Sequence, residues 1–542
     1  MRTALTAGAI RTLEEPHLAA GVPLMERAAG TVAAAVEAEL RATTKDLTGT
    51  RVLVLVGPGA NGGDALLAAA RLASTGVRVV ALTVGDSVHP PGLYAARTAG
   101  VDLRSAPGSA VPDVPEATDV PDLVSWSELI VDGMLGIGAT GGLRGPARAV
   151  AETVLAGPRR TVVAVDVPSG IGVDDGTLPG PVLHADVTVT MIAAKPGILL
   201  PPAAGRAGRI EVSDIGVAPT GEPAVVEPGW AEVARSVHTP SWEDDKYSRG
   251  VLGVVAGSET YPGAAVLTVA GALRTGVGMV RHLADRRSVD LVLAAHPEVV
   301  GADGRVQALV VGPGTADGAD RERLSAALER ALRDGTPTVV DAGALPLVTG
   351  LDRSGHGVTG DLAGTVPFVL TPHPGEAARL LSTLRSAEVD RAEVEAAPAA
   401  AATEIAHGTG AVVLLKGART VVAGGGPLRV ASAGVPWLAT AGSGDVLAGV
   451  LGALLTSAGA RAEAVGRPLS RAELADAAVA AAHVHGSAGL RAAGDAPGRP
   501  IVAGDVAAAL PDVVADLVAG RDPAGEQTSA RGGGILQRFG LR

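Results

Sequence analysis

The chain reads as an α/β protein built on doubly wound parallel sheets, in two successive domains. Three observations predict this. Short β-branched runs alternate with Ala-rich, helix-like segments along most of the 542 residues. Many of these runs end at a loop holding Asp and Gly, the edge of a parallel sheet where ligands collect. Two unlike glycine-rich loops, Gly57–Asp64 and Thr440–Gly449, each open a helix-like segment, one in each half of the chain.

In the first half, Arg51–Val56 (RVLVLV) is an apolar run that stops at Gly57, and it predicts a buried strand. Asp64–Ala73 follows as helix, then Val77–Val84, Leu129–Asp132 and Thr161–Asp166 as further strands. Residues 105–122 are rich in Pro, Asp and Ala and read as an irregular excursion. Residues 217–228 have the composition of a linker. Beyond it, Val251–Ala256, Ala308–Val311, Thr338–Asp341, Phe368–Leu370 and Val412–Leu415 are expected strands, and Ala387–Ala406 an expected helix. The domain limits are therefore placed at 1–217 and 238–521, with a linker at 218–237 and a disordered tail at 522–542.

Composition narrows the function. The hydrophobic fraction is 47% with 2% aromatics, so the cores must be filled by Ala, Val and Leu. A net charge of −12 without basic runs argues against nucleic-acid partners. Absence of cysteine excludes disulfides, thiolate metal sites and a Cys nucleophile. No uninterrupted apolar run has membrane-spanning length, and Glu14 and Glu15 interrupt the N-terminal segment. A cytoplasmic enzyme acting on small molecules, with no membrane partner and assembled as a homo-oligomer, is the expectation.

Gly57-Pro58-Gly59-Ala60-Asn61-Gly62-Gly63-Asp64 satisfies G-x-G-x-x-G between a strand and a helix. Such glycines either let backbone approach a pyrophosphate or simply form a tight turn. Asp132 and Asp166 end later strands, and Ser169 follows in DVPSG. Oxygens from Asn61, Asp132 and Ser169 would suit a hard cation. Asp at strand ends also caps turns, so that alternative stays open.

The segments GPGANGGDA, VDGMLGIGATGGLRG, DVPSG and GAIRTLEE…GVPLMERAAG together resemble the NAD(P)H-hydrate epimerase domain, which has a Rossmann-like fold. The resemblance implies contacts to hydrated nucleotide from Ala60, Asn61, Gly62, Gly63, Asp64, Gly136, Ile137, Gly138, Ala139, Thr140, Gly141, Gly142 and Asp166. It also implies a potassium ion held by Asn61, Asp132 and Ser169. Ala60 stands where the family usually has a second Asn, and Ala65 where it has Gly, which removes one polar contact. Asp64 and Asp166 are the carboxylates available as acid or base, and the sequence does not choose between them.

In the second half, Gly442-Ser443-Gly444-Asp445 before an apolar helix is an anion cradle with a carboxylate in it. Its neighbours have bland readings alone: Lys416 solvated, His373 fixing a turn, Tyr247 and Tyr261 packing. Together KYSRG, GSETYPGAA, VGPG, DAGAL, TPHPGE, LKG and TAGSGDVLAG resemble, in order, the ADP/ATP-dependent NAD(P)H-hydrate dehydratase domain, a ribokinase-like fold. The resemblance implies that Ala265, Gly314, His373 and Asp445 contact the hydrated nucleotide. Lys416, Gly417, Ala418, Arg419, Thr420 and Gly444 would contact the adenine nucleotide, with ADP as donor and Mg2+ bridging its phosphates. Asp445 would be the base that activates the substrate hydroxyl. Two other classes share these features: a small-molecule kinase fused to a Rossmann-like domain, and a non-catalytic binding protein. An oxidoreductase is allowed by the first glycine loop, but no second domain with hydride-transfer residues is visible.

Overall fold

The protein is described from a computed structural model, covering residues 1–315, 320–351, 366–432, 434–494 and 498–522. The expected disordered tail falls, past Asp522, outside the described residues. The chain divides into two compact units at Val225/Val226, within the expected linker, with Met1 and Arg2 belonging to the second unit. Within that linker, Val225–Glu227 is a strand and Trp230–Ser236 a helix.

The first unit carries seven parallel strands. Their spatial order is Asp102–Ser105, Arg78–Thr83, Arg51–Val56, Leu129–Gly133, Thr161–Val165, Val187–Met191 and Arg209–Ser213. Central strand 51–56 sends Val52, Val54 and Val56 into one core cluster and Leu53 and Leu55 into another. Both faces are covered, as its continuous apolar run requires. Register aligns the carboxyl ends: Val56 faces Gly133, Asp132 faces Ala164, and Val165 faces Val189. The loops after four neighbouring strands therefore open at one edge.

Asp102–Ser105, Val187–Met191 and Arg209–Ser213 fell outside the strands expected from sequence. Thr188 and Thr190 are fully buried there, and Thr188 Oγ1 donates to the Ala207 carbonyl at 2.6 Å. Polar residues satisfied by local hydrogen bonds mask a buried strand.

In the second unit eight strands follow in the order Leu428–Ala431, Thr420–Ala423, Val412–Leu415, Phe368–Leu370, Thr338–Val340, Ala308–Val311, Val251–Val255 and Met279–His282. The last six pair in parallel, and 420–423 and 428–431 add an antiparallel hairpin. The expected helix 387–406 is two helices, Arg391–Ala396 and Pro398–Thr409. Pro398 cannot donate within a helix and pushes Ala397 out of helical geometry (φ −142°).

Helix Ser443–Ala464 crosses helix Pro262–Thr275 at very short range. A Cβ on Gly449 would lie 2.0 Å from the Thr268 carbonyl oxygen, and one on Gly271 would lie 2.5 Å from that of Val446. By length and composition helix Ser443–Ala464 alone among the described helices could cross a membrane, but 67% of its apolar window is buried inside the unit. It is a core helix of that unit.

Candidate active sites

In the first unit the helix after the glycine loop begins at Ala60, four residues earlier than expected, with extended Gly59 as its N-cap. Asn61, Gly62 and Gly63 thus sit in its first turn, and Asp64 follows directly. A Cβ on Gly57 would stand 1.7 Å from the Met134 carbonyl oxygen, and one on Gly62 would stand 2.0 Å from that of Gly57. These glycines are required by close approach to the protein's own backbone. Gly63 packs beneath Met25 and His89, each 2.9 Å from where its Cβ would be.

The same packing seats Asn61 against the second loop, since a Cβ on Gly136 would meet Asn61 Oδ1 at 2.9 Å. Arg11 Nη2 donates to the Ile137 carbonyl at 2.8 Å and pins that loop. Ala60 is exposed at the helix start, and residues 138–142 are partly to fully exposed, with Gly141 at φ +74°. These main-chain groups border one open edge.

Asp132 is fully buried, and no cation pairs with it among the described residues. Burial pushes its carboxyl pKa up, opposed by hydrogen bonds from Ser169. Ser169 Oγ donates to Asp132 Oδ1 at 2.5 Å, and Ser169 N donates to Oδ2 at 2.9 Å. Asn61 Nδ2 is buried without a partner, so turning that amide over would present its oxygen at no loss of hydrogen bonds. An uncompensated carboxylate beside a hydroxyl and an amide is a donor set that fits a hard monovalent cation.

Asp166 lies at the neighbouring strand end with φ +66°, a conformation rare for a side-chain-bearing residue. Its N–H donates to the Val189 carbonyl at 2.7 Å. Its carboxylate receives the buried ammonium of Lys195 and the Thr190 hydroxyl, the latter at 3.2 Å. Asp64 Oδ1 is sheltered without a partner. Burial, then the charges of Asp166, Glu14 and Glu26, push the Asp64 pKa well up. Glu14 on helix Ala7–Ala19 is likewise raised, by burial and then by Asp166. Asp64, Asp166 and Glu14 therefore feel one another as one electrostatic cluster, with Lys195 as its cation. Sequence reading assigned no role to Glu14 or Lys195. A lysine inside the apolar run MIAAKPGILL was the available signal.

In the second unit, Gly442 adopts φ +83° and turns the chain into helix Ser443–Ala464. The first-turn N–H groups of Gly444 and Asp445 have no intrahelical acceptor, which leaves them for an anion. Ser443 is held from behind by buried His485, whose Nε2 lies 3.0 Å from the Ser443 carbonyl and 3.2 Å from its hydroxyl. Burial drops the His485 pKa to about 4.

Lys416 comes to the same place, its Nζ 3.5 Å from where a Cβ on Gly444 would be. It donates to Asp341 Oδ1 at 2.9 Å and lies 3.8 Å from Glu376. Asp341 is buried and also accepts from Thr371 Oγ1 at 2.9 Å. Asp445, partly buried, has its pKa pushed to about 7 by burial and then by Asp341, against the pull of Lys416. A carboxyl that titrates near neutrality beside an anion cradle is equipped for proton abstraction.

His373 caps helix Pro374–Arg385, its Nδ1 accepting from the Gly375 and Glu376 amides at 3.0 and 3.3 Å. Nε2 of this exposed ring then carries the proton of the neutral form. Gly314 has φ +64°, and its carbonyl accepts from Ser258 Oγ at 2.8 Å in the loop before helix Pro262–Thr275. Ala265 is fully buried, so its methyl faces the core. Gly417 and Ala418 are exposed. The Arg419 guanidinium is directed instead at Glu227, 3.7 Å away, a carboxylate that also meets Arg2 at 2.7 Å. The structure thus gathers Lys416, Gly444 and Asp445 with Asp341, a residue that sequence reading quoted without a role, and takes the Arg419 side chain elsewhere.

Comparison with known proteins bears on both sites. Residues 22–197 match the family described as YjeF-related protein N-terminus, and residues 252–507 match that described as NAD(P)H-hydrate dehydratase. Among solved structures, the ADP/ATP-dependent NAD(P)H-hydrate dehydratase from Bacillus subtilis aligns at 25% identity and TM-score 0.42, over 54% of this chain and 98% of that one. The bifunctional NAD(P)H-hydrate repair enzyme Nnr of Mycobacterium leprae is 41% identical over 479 residues, covering 86% of this chain and 91% of its own. That of Moorella thermoacetica is 31% identical over 94% of this chain and 95% of its own. With relatives of this kind matched along both halves, the chain belongs to the bifunctional NAD(P)H-hydrate repair enzymes.

Proposed function

We propose that the second unit dehydrates the S form of NADH or NADPH hydrate using ADP, and that Asp445 begins the reaction. Its carboxylate takes the proton from the substrate hydroxyl as oxygen attacks the β-phosphorus of ADP, entering as its magnesium complex. The bond from that phosphorus to the bridging oxygen breaks, and AMP leaves. Lys416 and the free amides of Gly444 and Asp445 face the negative charge of the moving phosphoryl group. The ring nitrogen then expels the new phosphate ester as phosphate. Loss of the adjacent ring proton restores the double bond of the reduced nicotinamide.

The first unit epimerises R and S hydrate and so feeds the second. Asp64, whose pKa burial and neighbouring carboxylates push up, gives a proton to the departing hydroxyl. The ring nitrogen supplies electrons as water leaves, and water re-adds from the other face. Asp166 takes the proton from that incoming water. The main chain around Ala60 and residues 136–142 borders the nucleotide. Asn61, Asp132 and Ser169 would hold a potassium ion, which when bound supplies positive charge beside these loops.

The observation that carries the reading is Asp445, poised near pH 7 beside Lys416 at a helix start. The test is recovery of reduced-nicotinamide absorbance from pure S hydrate with ADP and Mg2+. A fused kinase would consume nucleotide and restore no absorbance, and a binding protein would consume none.

A further inference from the structure

Lys195 is fully buried, in a loop one residue beyond the strand-end segment that ends at Ala194. Each of its three ammonium protons has an acceptor: the Asp166 carboxylate, Thr190 Oγ1 at 2.9 Å and the Met191 carbonyl at 2.9 Å. Thr190 Oγ1 in turn donates to Asp166 Oδ1 at 3.2 Å. Asp166 in this ring and Ile192, which follows Met191, both carry positive φ (+66° and +70°). Two such conformations side by side persist only where surroundings over-determine them, and they gather at working sites. A lysine placed only for packing would not be aimed at a buried carboxylate at the end of a sheet strand.

We propose that Lys195 is the positioning residue of the epimerisation site: its ammonium fixes the direction of the Asp166 carboxylate, making Asp166 the proton acceptor and leaving Asp64 as the donor. This rests on the two-carboxylate reading of that site given above. The charges facing Asp166 are Lys195 from its own side and Asp64 and Glu14 opposite. Arg11 bears on Glu14, and Glu26 on Asp64. Among these charges Lys195 is the cation in direct contact with Asp166.

The experiment starts from pure R hydrate with ADP and Mg2+ in the full-length protein, where epimerisation limits recovery, and uses pure S hydrate as internal control. Lys195→Met is expected to slow R-hydrate recovery about 100-fold, the scale of a lost acid–base function, and to move the acid limb of its pH profile upward. Recovery from S hydrate stays unchanged. Lys195→Arg restores charge without the compact geometry and should regain part of the rate with the limb near its original position. Thr190→Val keeps the charge and loosens the ring, and should lose about 5- to 10-fold without moving the limb. A folded Lys195→Met that recovers R hydrate at the wild-type rate, with an unmoved limb, overturns the proposal. If Lys195→Met does not fold, wild-type rates and profiles from both Lys195→Arg and Thr190→Val overturn it equally. Asp166→Asn is run beside them. Should it retain epimerisation, the site reading itself fails; should it be inactive while Lys195→Met is normal, only the role of Lys195 fails.

Discussion

In the proposed mechanisms each unit uses a carboxylate at the open edge of a parallel sheet, yet the two carboxylates stand in unlike surroundings. Asp445 stands in the first turn of a core helix, and burial with the nearby Asp341 charge brings its pKa to about 7. Its lysine, Lys416, is bonded elsewhere, to Asp341. Asp166 instead takes its lysine directly, and the neighbour displaced upward is Asp64. In the proposed mechanism one site would use a single carboxyl whose pKa lies near 7. The other would divide the work between two carboxyls, one paired with a lysine and one raised by burial and its neighbours. Phosphoryl transfer needs one proton removed, whereas epimerisation needs one given and one taken, so the difference follows the chemistry.

The comparison breaks most sharply on Asp445→Asn. Recovery from S hydrate should fall by about 10^3-fold or more, with interconversion of R and S forms intact, as seen by chromatography of the two epimers. Equal loss of both activities would mean that the sites are not separate. A second expectation concerns pH. Asp445 must be ionised to act, so dehydration kcat/KM should rise with pH through about 7. Asp341→Asn removes a charge that raises that pKa, so the limb should move to lower pH; an unmoved limb would assign it to another group.

Smaller effects sharpen the contrast. Ser169→Ala removes one oxygen from the proposed potassium site and one partner of Asp132, and should weaken the potassium response of epimerisation about 10-fold in half-saturating concentration, with dehydration unaffected. Gly271→Ala forces a methyl towards the Val446 carbonyl, at 2.5 Å. It should destabilise the second unit by about 1–3 kcal/mol, read as a lowered unfolding midpoint for that unit by native-state hydrogen exchange. Exchange protection in the first unit should not change.

The strands that begin or end the argument were legible in the sequence because they are continuous apolar runs. Arg51–Val56, Ala308–Val311, Phe368–Leu370 and Val412–Leu415 form as expected, residue for residue. Strand Val187–Met191 was not, because its alternating threonines satisfy themselves locally. The start of helix Ala60–Ser74 was misplaced for a related reason: glycines at 62 and 63 read as loop, whereas in the helix Gly62 packs against the Gly57 backbone and Gly63 beneath Met25 and His89. Asp445 announced itself through residue type beside a glycine turn, whereas Lys416 read as solvated on its own and gained a role only through the family resemblance. Lys195 and Glu14 did not, since their roles arise from carboxylates far away in sequence. Arg419 shows the converse: a cation expected at the nucleotide is turned towards Glu227, which no local pattern reveals.

Helix Ser443–Ala464 carries Asp445, the proposed base, in its first turn and continues as the glycine-packed axis of its unit. The carboxylate therefore inherits the stiffness of the most tightly interlocked piece of the structure. Warming should leave dehydration following a smooth thermal trend until the whole unit melts, and then extinguish it abruptly, because no softer hinge stands between the interior and the reacting oxygen.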